Sequence, residues 1–153
     1  MLREVHPPVW RRVHVPSMAT LADLHEVMQV AMGWERHHLH VFSDGDRQYG
    51  DNARDETAVT MAGLIPKAGD WLGYRYDFGD MWDHDIEVEK VHQAAAKAAY
   101  PRCSAGGHAC PQKTAVVRRV TPETCHGTAI RWQGRRFPWR GPCRSPRSPR
   151  RRR

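Results

Sequence analysis

Tyr74-Arg75-Tyr76-Asp77-Phe78-Gly79-Asp80-Met81-Trp82-Asp83-His84-Asp85-Ile86-Glu87-Val88 is two alternating runs around a glycine turn. In the first run Tyr74, Tyr76 and Phe78 share one face, which predicts a strand over 74–78. In the second, Trp82, His84, Ile86 and Val88 share a face, with acidic residues between them. Alternation with period two marks half-buried strands, and a short turn through Gly79-Asp80 makes them antiparallel neighbours.

Upstream, Pro7-Pro8-Val9-Trp10-Arg11-Arg12-Val13-His14-Val15-Pro16 also alternates, with proline at each end. It reads as a strand at a sheet edge, because proline cannot donate to a ladder. Thr20 then offers an N-cap hydroxyl, Leu21, Leu24, Met28, Ala31 and Met32 recur at helical spacing, and Gly33 supplies a stop. His38-Leu39-His40-Val41-Phe42 is a further short strand leading to a polar turn at Ser43–Asp46. Residues 47–60 read as a long polar loop, Gly69-Asp70 as a turn, and the alanine-rich stretch 93–99 as a helix or linker. The sum is an α+β fold: an antiparallel sheet with one main amphipathic helix.

Charge divides the chain. Residues 1–100 hold 10 Lys and Arg against 16 Asp and Glu, whereas 101–153 hold 14 against 1. The expected organisation is a folded domain over 1–100 and a disordered, irregular basic tail over 101–153. No apolar run approaches the roughly 18 residues that span a bilayer, so no membrane role is expected. All four cysteines (Cys103, Cys110, Cys125 and Cys143) fall in the tail, which leaves the folded part without a thiol and gives the cytoplasm as the expected compartment.

Five blocks run in order: Pro7-Pro8-Val9-Trp10-Arg11-Arg12; Thr20-Leu21 leading to Leu24-His25; Ala31-Met32-Gly33-Trp34; His38–Phe42; and Tyr76-Asp77-Phe78-Gly79-Asp80-Met81-Trp82-Asp83-His84. In order and spacing they resemble the plasmid pRiA4b ORF-3-like family, whose members include passenger proteins of insertion elements. The resemblance implies an α+β fold and an association with mobile DNA, and it supplies no mechanism. Two departures stand out: only Met1–His6 precede the first block, where relatives carry a longer strand, and a later Cys-Pro-Pro-Glu-Asp-x-Gly-Gly-x-x-Gly-Tyr segment is missing. With third bases chosen mostly as G, one C restored near codon 111 would turn the codons after Pro111 into Pro-Glu-Asp-Cys-Gly-Gly-Ala-Ala-Gly-Tyr. The sequence therefore reads as truncated at its start and frameshifted near Pro111.

The basic tail ends in Arg150-Arg151-Arg152-Arg153. Clustered arginine neutralises phosphates, so nucleic acid is the partner class it suggests; a GC-rich gene read out of frame yields the same arginine and proline excess. Cys103 and Cys110 are spaced too widely for a structural zinc pair. Trp10, Trp34, Trp71, Trp82, Tyr74, Tyr76 and Phe78 form an aromatic set expected mostly in the core.

The candidate binding surface is His38, His40, Asp77, Asp80, Trp82 and His84. His38 and His40 lie two residues apart on one strand face, and Asp77 and Asp80 flank the hairpin turn. If the two units pair, imidazoles and carboxylates converge as a divalent-metal site or an acid–base pair. The structural alternative has Asp80 holding the turn through backbone amides and His84 packed beside Trp82. No nucleophile motif, phosphate loop or dinucleotide fingerprint is present, and no cofactor is identified. The reading favours a non-enzymatic binding or accessory module over a metal-dependent enzyme using the same residues.

Overall fold

A computed structural model of the chain describes residues 1–96 and 98–110. The predicted readings of a disordered tail and of a frameshift beyond Pro111 lie outside the described residues.

The hairpin forms as its alternation requires. Strand β4 (Trp71–Tyr76) pairs antiparallel with β5 (Trp82–Glu87), Tyr74 opposite His84 and Tyr76 opposite Trp82. Strand β2 (His40–Asp44) joins the other edge of β4, and β3 (Arg47–Gly50) joins β2, giving a four-stranded sheet in the order β3-β2-β4-β5. Its inner face carries Phe42, Tyr49, Leu72, Tyr74 and Tyr76, all buried. The outer face of the hairpin is charged, with Arg75 paired to Asp83 at 2.7 Å and Arg3 paired to Asp85.

Helix α1 (Leu21–Met32) covers the inner face. Its bounds match the sequence pattern: the Thr20 hydroxyl accepts from the Asp23 N–H at 3.1 Å, Asp23 accepts from the Thr20 N–H at 2.9 Å, and Gly33 ends the helix at φ 75°. Leu21, Leu24, Met28 and Met32 enter the core in the predicted row.

A separate two-stranded sheet joins β1 (Trp10–His14) to β6 (Arg102–Gly107), with a register shift between Arg12 and Val13. Arg11 ties this sheet to the helix, donating to the carbonyls of Ala31, Trp10 and Gly107 at 3.0, 2.8 and 3.0 Å. The Ala31 contact sets a cation against the C-terminal end of α1, where helix carbonyls lack partners.

Several expectations are corrected. The predicted loop 47–60 contains β3, because an edge strand needs only Tyr49 as its inward anchor while Arg47 and Gln48 stay exposed. It is followed by a short helix, α2 (Met61–Leu64), capped by Thr60. The strand expected over 74–78 ends at Tyr76, since Asp77 turns the backbone to φ 61° and sends Phe78 outward. Trp71 is exposed too, on the charged face. Residues 93–99 contain no helix among the described ones, and residues 102–107, expected to be irregular, form β6. Cys103 lies on that strand, and Cys110 reaches Met32 with sulfurs 3.3 Å apart, so the folded part does contain cysteines.

Candidate functional site

The site grows from the inner face of α1. His25 and Gln29 are one turn apart in the apolar row, and both are buried. A buried polar group must find a hydrogen-bond partner, and these two share one. The Gln29 amide nitrogen donates to Tyr74 Oη at 3.0 Å, and His25 Nδ1 lies 2.9 Å from the same oxygen. Gln29 Oε1 accepts from the Arg36 N–H at 3.1 Å, which fixes the amide orientation.

Proton counting completes the chain. Gln29 can only donate to Tyr74 Oη, so the single phenolic proton points to His25 Nδ1 and the imidazole carries its own proton on Nε2. Burial, then the neighbouring His40 and Arg36, depress His25 to about 3, so this ring is neutral. Burial also raises the Tyr74 phenol, keeping it a donor.

His40 stacks on His25 with ring centroids 3.6 Å apart. Its Nε2 lies 2.8 Å from Glu56 Oε2 and its Nδ1 3.1 Å from Asp51 Oδ2. Asp51 also accepts the His40 backbone N–H at 2.8 Å. That return of the chain depends on Gly50, whose φ is 119° and whose absent Cβ would sit 2.9 Å from the His40 carbonyl oxygen. Any side chain would strain both the dihedral and the contact.

An open depression of about 510 Å³ lies over these rings, lined by His25, Glu26, Arg36, His37, His38, Leu39, His40 and Asp51. On its wall, Arg36 pairs with Glu26 at 2.6 Å. Burial raises the Glu26 carboxyl, with Arg36 opposing that shift. The His25 Nε2–H is left for the depression, because Nδ1 is committed to Tyr74.

The predicted residues separate into two groups. His38 and His40 do border the depression, and His38 Nδ1 reaches Asp77 Oδ2 at 3.2 Å. Asp77, rather than Asp80, holds the hairpin turn: its Oδ1 accepts the Gly79 and Asp80 N–H groups at 3.1 and 3.4 Å. His84 and Trp82 lie elsewhere, against Trp34 at centroid distances of 5.2 and 6.3 Å. His84 Nδ1 donates to the Trp82 carbonyl at 3.0 Å, and burial depresses this imidazole to about 4. The structure thus brings His38 to Asp77 and sets Trp82 and His84 apart from them, against Trp34. Among the described residues, no three His, Cys, Asp or Glu side chains group so as to hold a metal ion.

Sequence reasoning missed His25, Gln29, Asp51, Glu56 and the pairing role of Arg36. A signal existed for the first two: a histidine and a glutamine inside an otherwise apolar helical row. Asp51 and Glu56 had none, since they reach His40 from a polar loop.

Two antiparallel sheets, one capped amphipathic helix and a polar cluster between helix and sheet define an α+β protein built around a buried histidine stack. The chain belongs to the plasmid pRiA4b ORF-3-like protein family, whose pattern matches residues 1–116. It is 36% identical over 119 residues to the uncharacterized protein y4hQ of Sinorhizobium fredii (strain NBRC 101917 / NGR234), covering 72% of this chain and 61% of that protein. The chain thus spans about three-fifths of that curated relative. The crystal structure of a protein of unknown function, MM3350 from Methanosarcina mazei Go1, superposes with a TM-score of 0.67 at 28% identity, over 74% of this chain and 69% of that one. No helix among the described residues is long and apolar enough to cross a membrane.

Proposed function

We propose that this protein is a non-enzymatic binding module and an accessory of mobile DNA, and that it docks a peptide segment of a partner protein in the depression. The observation that carries the reading is the relay Arg36 N–H to Gln29 to Tyr74 to His25. It holds a neutral imidazole in one tautomer with its remaining N–H available to a ligand oxygen. The carboxylates on His40 lock the stacked ring beneath. Such a set orients a donor, as recognition requires, and a backbone carbonyl is the acceptor it suits. Leu39 is exposed on the rim, and its carbonyl accepts from the Asp77 N–H at 2.9 Å, which brings the exposed Phe78 and Met81 of the turn beside it. A peptide supplies both the carbonyl and apolar side chains for that rim. The acidic balance of residues 1–100 disfavours phosphate contact in this part of the chain.

The test is selection from a displayed random-peptide library on the immobilised protein, followed by titration of the winners into the protein labelled for histidine NMR. The expected result is enrichment, a shifted His25 Nε2–H resonance, and at least a tenfold loss of affinity in a Leu39→Glu/Phe78→Glu variant, whose changes are at exposed positions. No enrichment, or equal binding by that variant, overturns the reading.

A further inference from the structure

A second pair of histidines lies outside the lining of the depression, where β1 meets the segment after β5. His14 Nδ1 and His92 Nε2 face each other at 3.4 Å, their rings edge-to-face at 62°. The partners of the opposite nitrogens decide what lies between them. His92 Nδ1 is 2.9 Å from the Gln93 carbonyl, which only accepts, so His92 carries its proton there and turns a lone pair toward His14. His14 Nε2 is 2.9 Å from Ser104 Oγ, and Ser104 in turn donates to the Arg12 carbonyl at 3.4 Å. In the arrangement where Ser104 donates to Arg12, His14 donates to Ser104 and it too presents a lone pair. Two lone pairs then oppose each other across 3.4 Å.

The other proton arrangement has Ser104 donating to His14, and His14 Nδ1–H donating to His92. That bond is long at 3.4 Å, as is the 3.4 Å contact from Ser104 to Arg12 in the first arrangement, so the pair can adopt either and a cation between the rings selects the first. By contrast, two imidazole nitrogens at about 2.0–2.1 Å from one tetrahedral ion lie about 3.3–3.4 Å apart. Each ring also has an outer hydrogen bond to fix its tautomer, as metal-binding histidines generally do.

We propose that His14 and His92 together bind one late first-row divalent cation of the zinc type through His14 Nδ1 and His92 Nε2. Water completes the coordination. The carboxylate of Glu89 is held by Arg12 at 2.5 and 3.0 Å and interacts with His14. Arg12 and Arg102 place positive charge near His14, so the site is of modest affinity and its occupancy is reversible. Binding there would pin the segment after β5 onto β1, across the join between the two sheets.

The test is titration of the full chain with Zn²⁺ by calorimetry and with Co²⁺ by visible absorption. The expected result is one ion per chain, cobalt bands of nitrogen and oxygen ligation without the intense thiolate charge-transfer band, and a Zn²⁺-dependent rise in Tm. His14→Gln and His92→Gln each abolish this binding event; His92 is exposed and His14 is half-buried at the end of β1, so both variants fold. Ser104→Ala weakens it about tenfold, the scale of an outer-shell loss. Absence of a one-to-one event, a thiolate band at the first equivalent, or binding retained by both glutamine variants overturns the proposal.

Discussion

The four-stranded sheet and the two-stranded sheet solve the same problem by opposite means. Strands β2 to β5 pair mostly with neighbours in sequence and bury aromatic rings under α1. β1 and β6 come from the two ends of the described chain and are held by the guanidinium of Arg11 and by two glycines. A Cβ at Gly106 would lie 2.8 Å from Arg11 Cδ and 3.1 Å from the Trp10 carbonyl oxygen. One sheet rests on buried volume, the other on close backbone approach. Volume tolerates little loss; close approach tolerates little gain.

That contrast breaks first with Phe42→Ala. Phe42 is fully buried at the centre of the larger layer, and its truncation is expected to cost about 3–5 kcal/mol, read as a large fall in the denaturant midpoint. A loss under about 1 kcal/mol would show that this layer is not volume-limited.

Acid comes next, and it acts on the larger layer. His25 and His84, depressed to about 3 and 4, are neutral when folded but accept protons more readily when unfolded. The unfolded state binds more protons below about 6.5, so the stabilisation is full above that pH and is lost as pH falls toward 4. Each group contributes on the order of 3 kcal/mol to that loss by pH 4. Equal denaturant midpoints at pH 7 and pH 4.5 would contradict the burial of both rings.

Gly106→Ala sharpens the comparison at the smaller sheet. It is expected to cost about 1–3 kcal/mol through overpacking, with faster hydrogen exchange confined to residues 10–14 and 102–107. Equal acceleration in 71–76 would mean that the two sheets open as one unit. Smallest is Thr20→Ala, which removes the capping box for about 1 kcal/mol and is read from the thermal midpoint.

Legibility in the sequence follows the same division. Helix α1 and the β4–β5 hairpin were readable because cap, period and turn are encoded within a few adjacent residues. β6 was not, because Arg102-Cys103-Ser104-Ala105-Gly106-Gly107 has no alternation of its own and becomes a strand only by meeting β1. In the candidate site, His38 and His40 were found by their strand spacing, whereas the stack of His25 on His40 required knowing that α1 lies across β2 and β4. His84 lies on the face that alternation gave it, and at β5 that face is closed by Trp34.

The pairing of Trp10 with Gly107 spans 97 residues. At a synthesis rate of about 5–20 residues per second, β1 leaves the ribosome roughly 5–20 s before its partner exists. For that interval its ladder groups are open to any passing strand, and the prolines on either side of it, Pro7, Pro8 and Pro16, shorten the stretch that a wrong partner can grip. The nascent chain thus carries its own guard for a strand made early and used last.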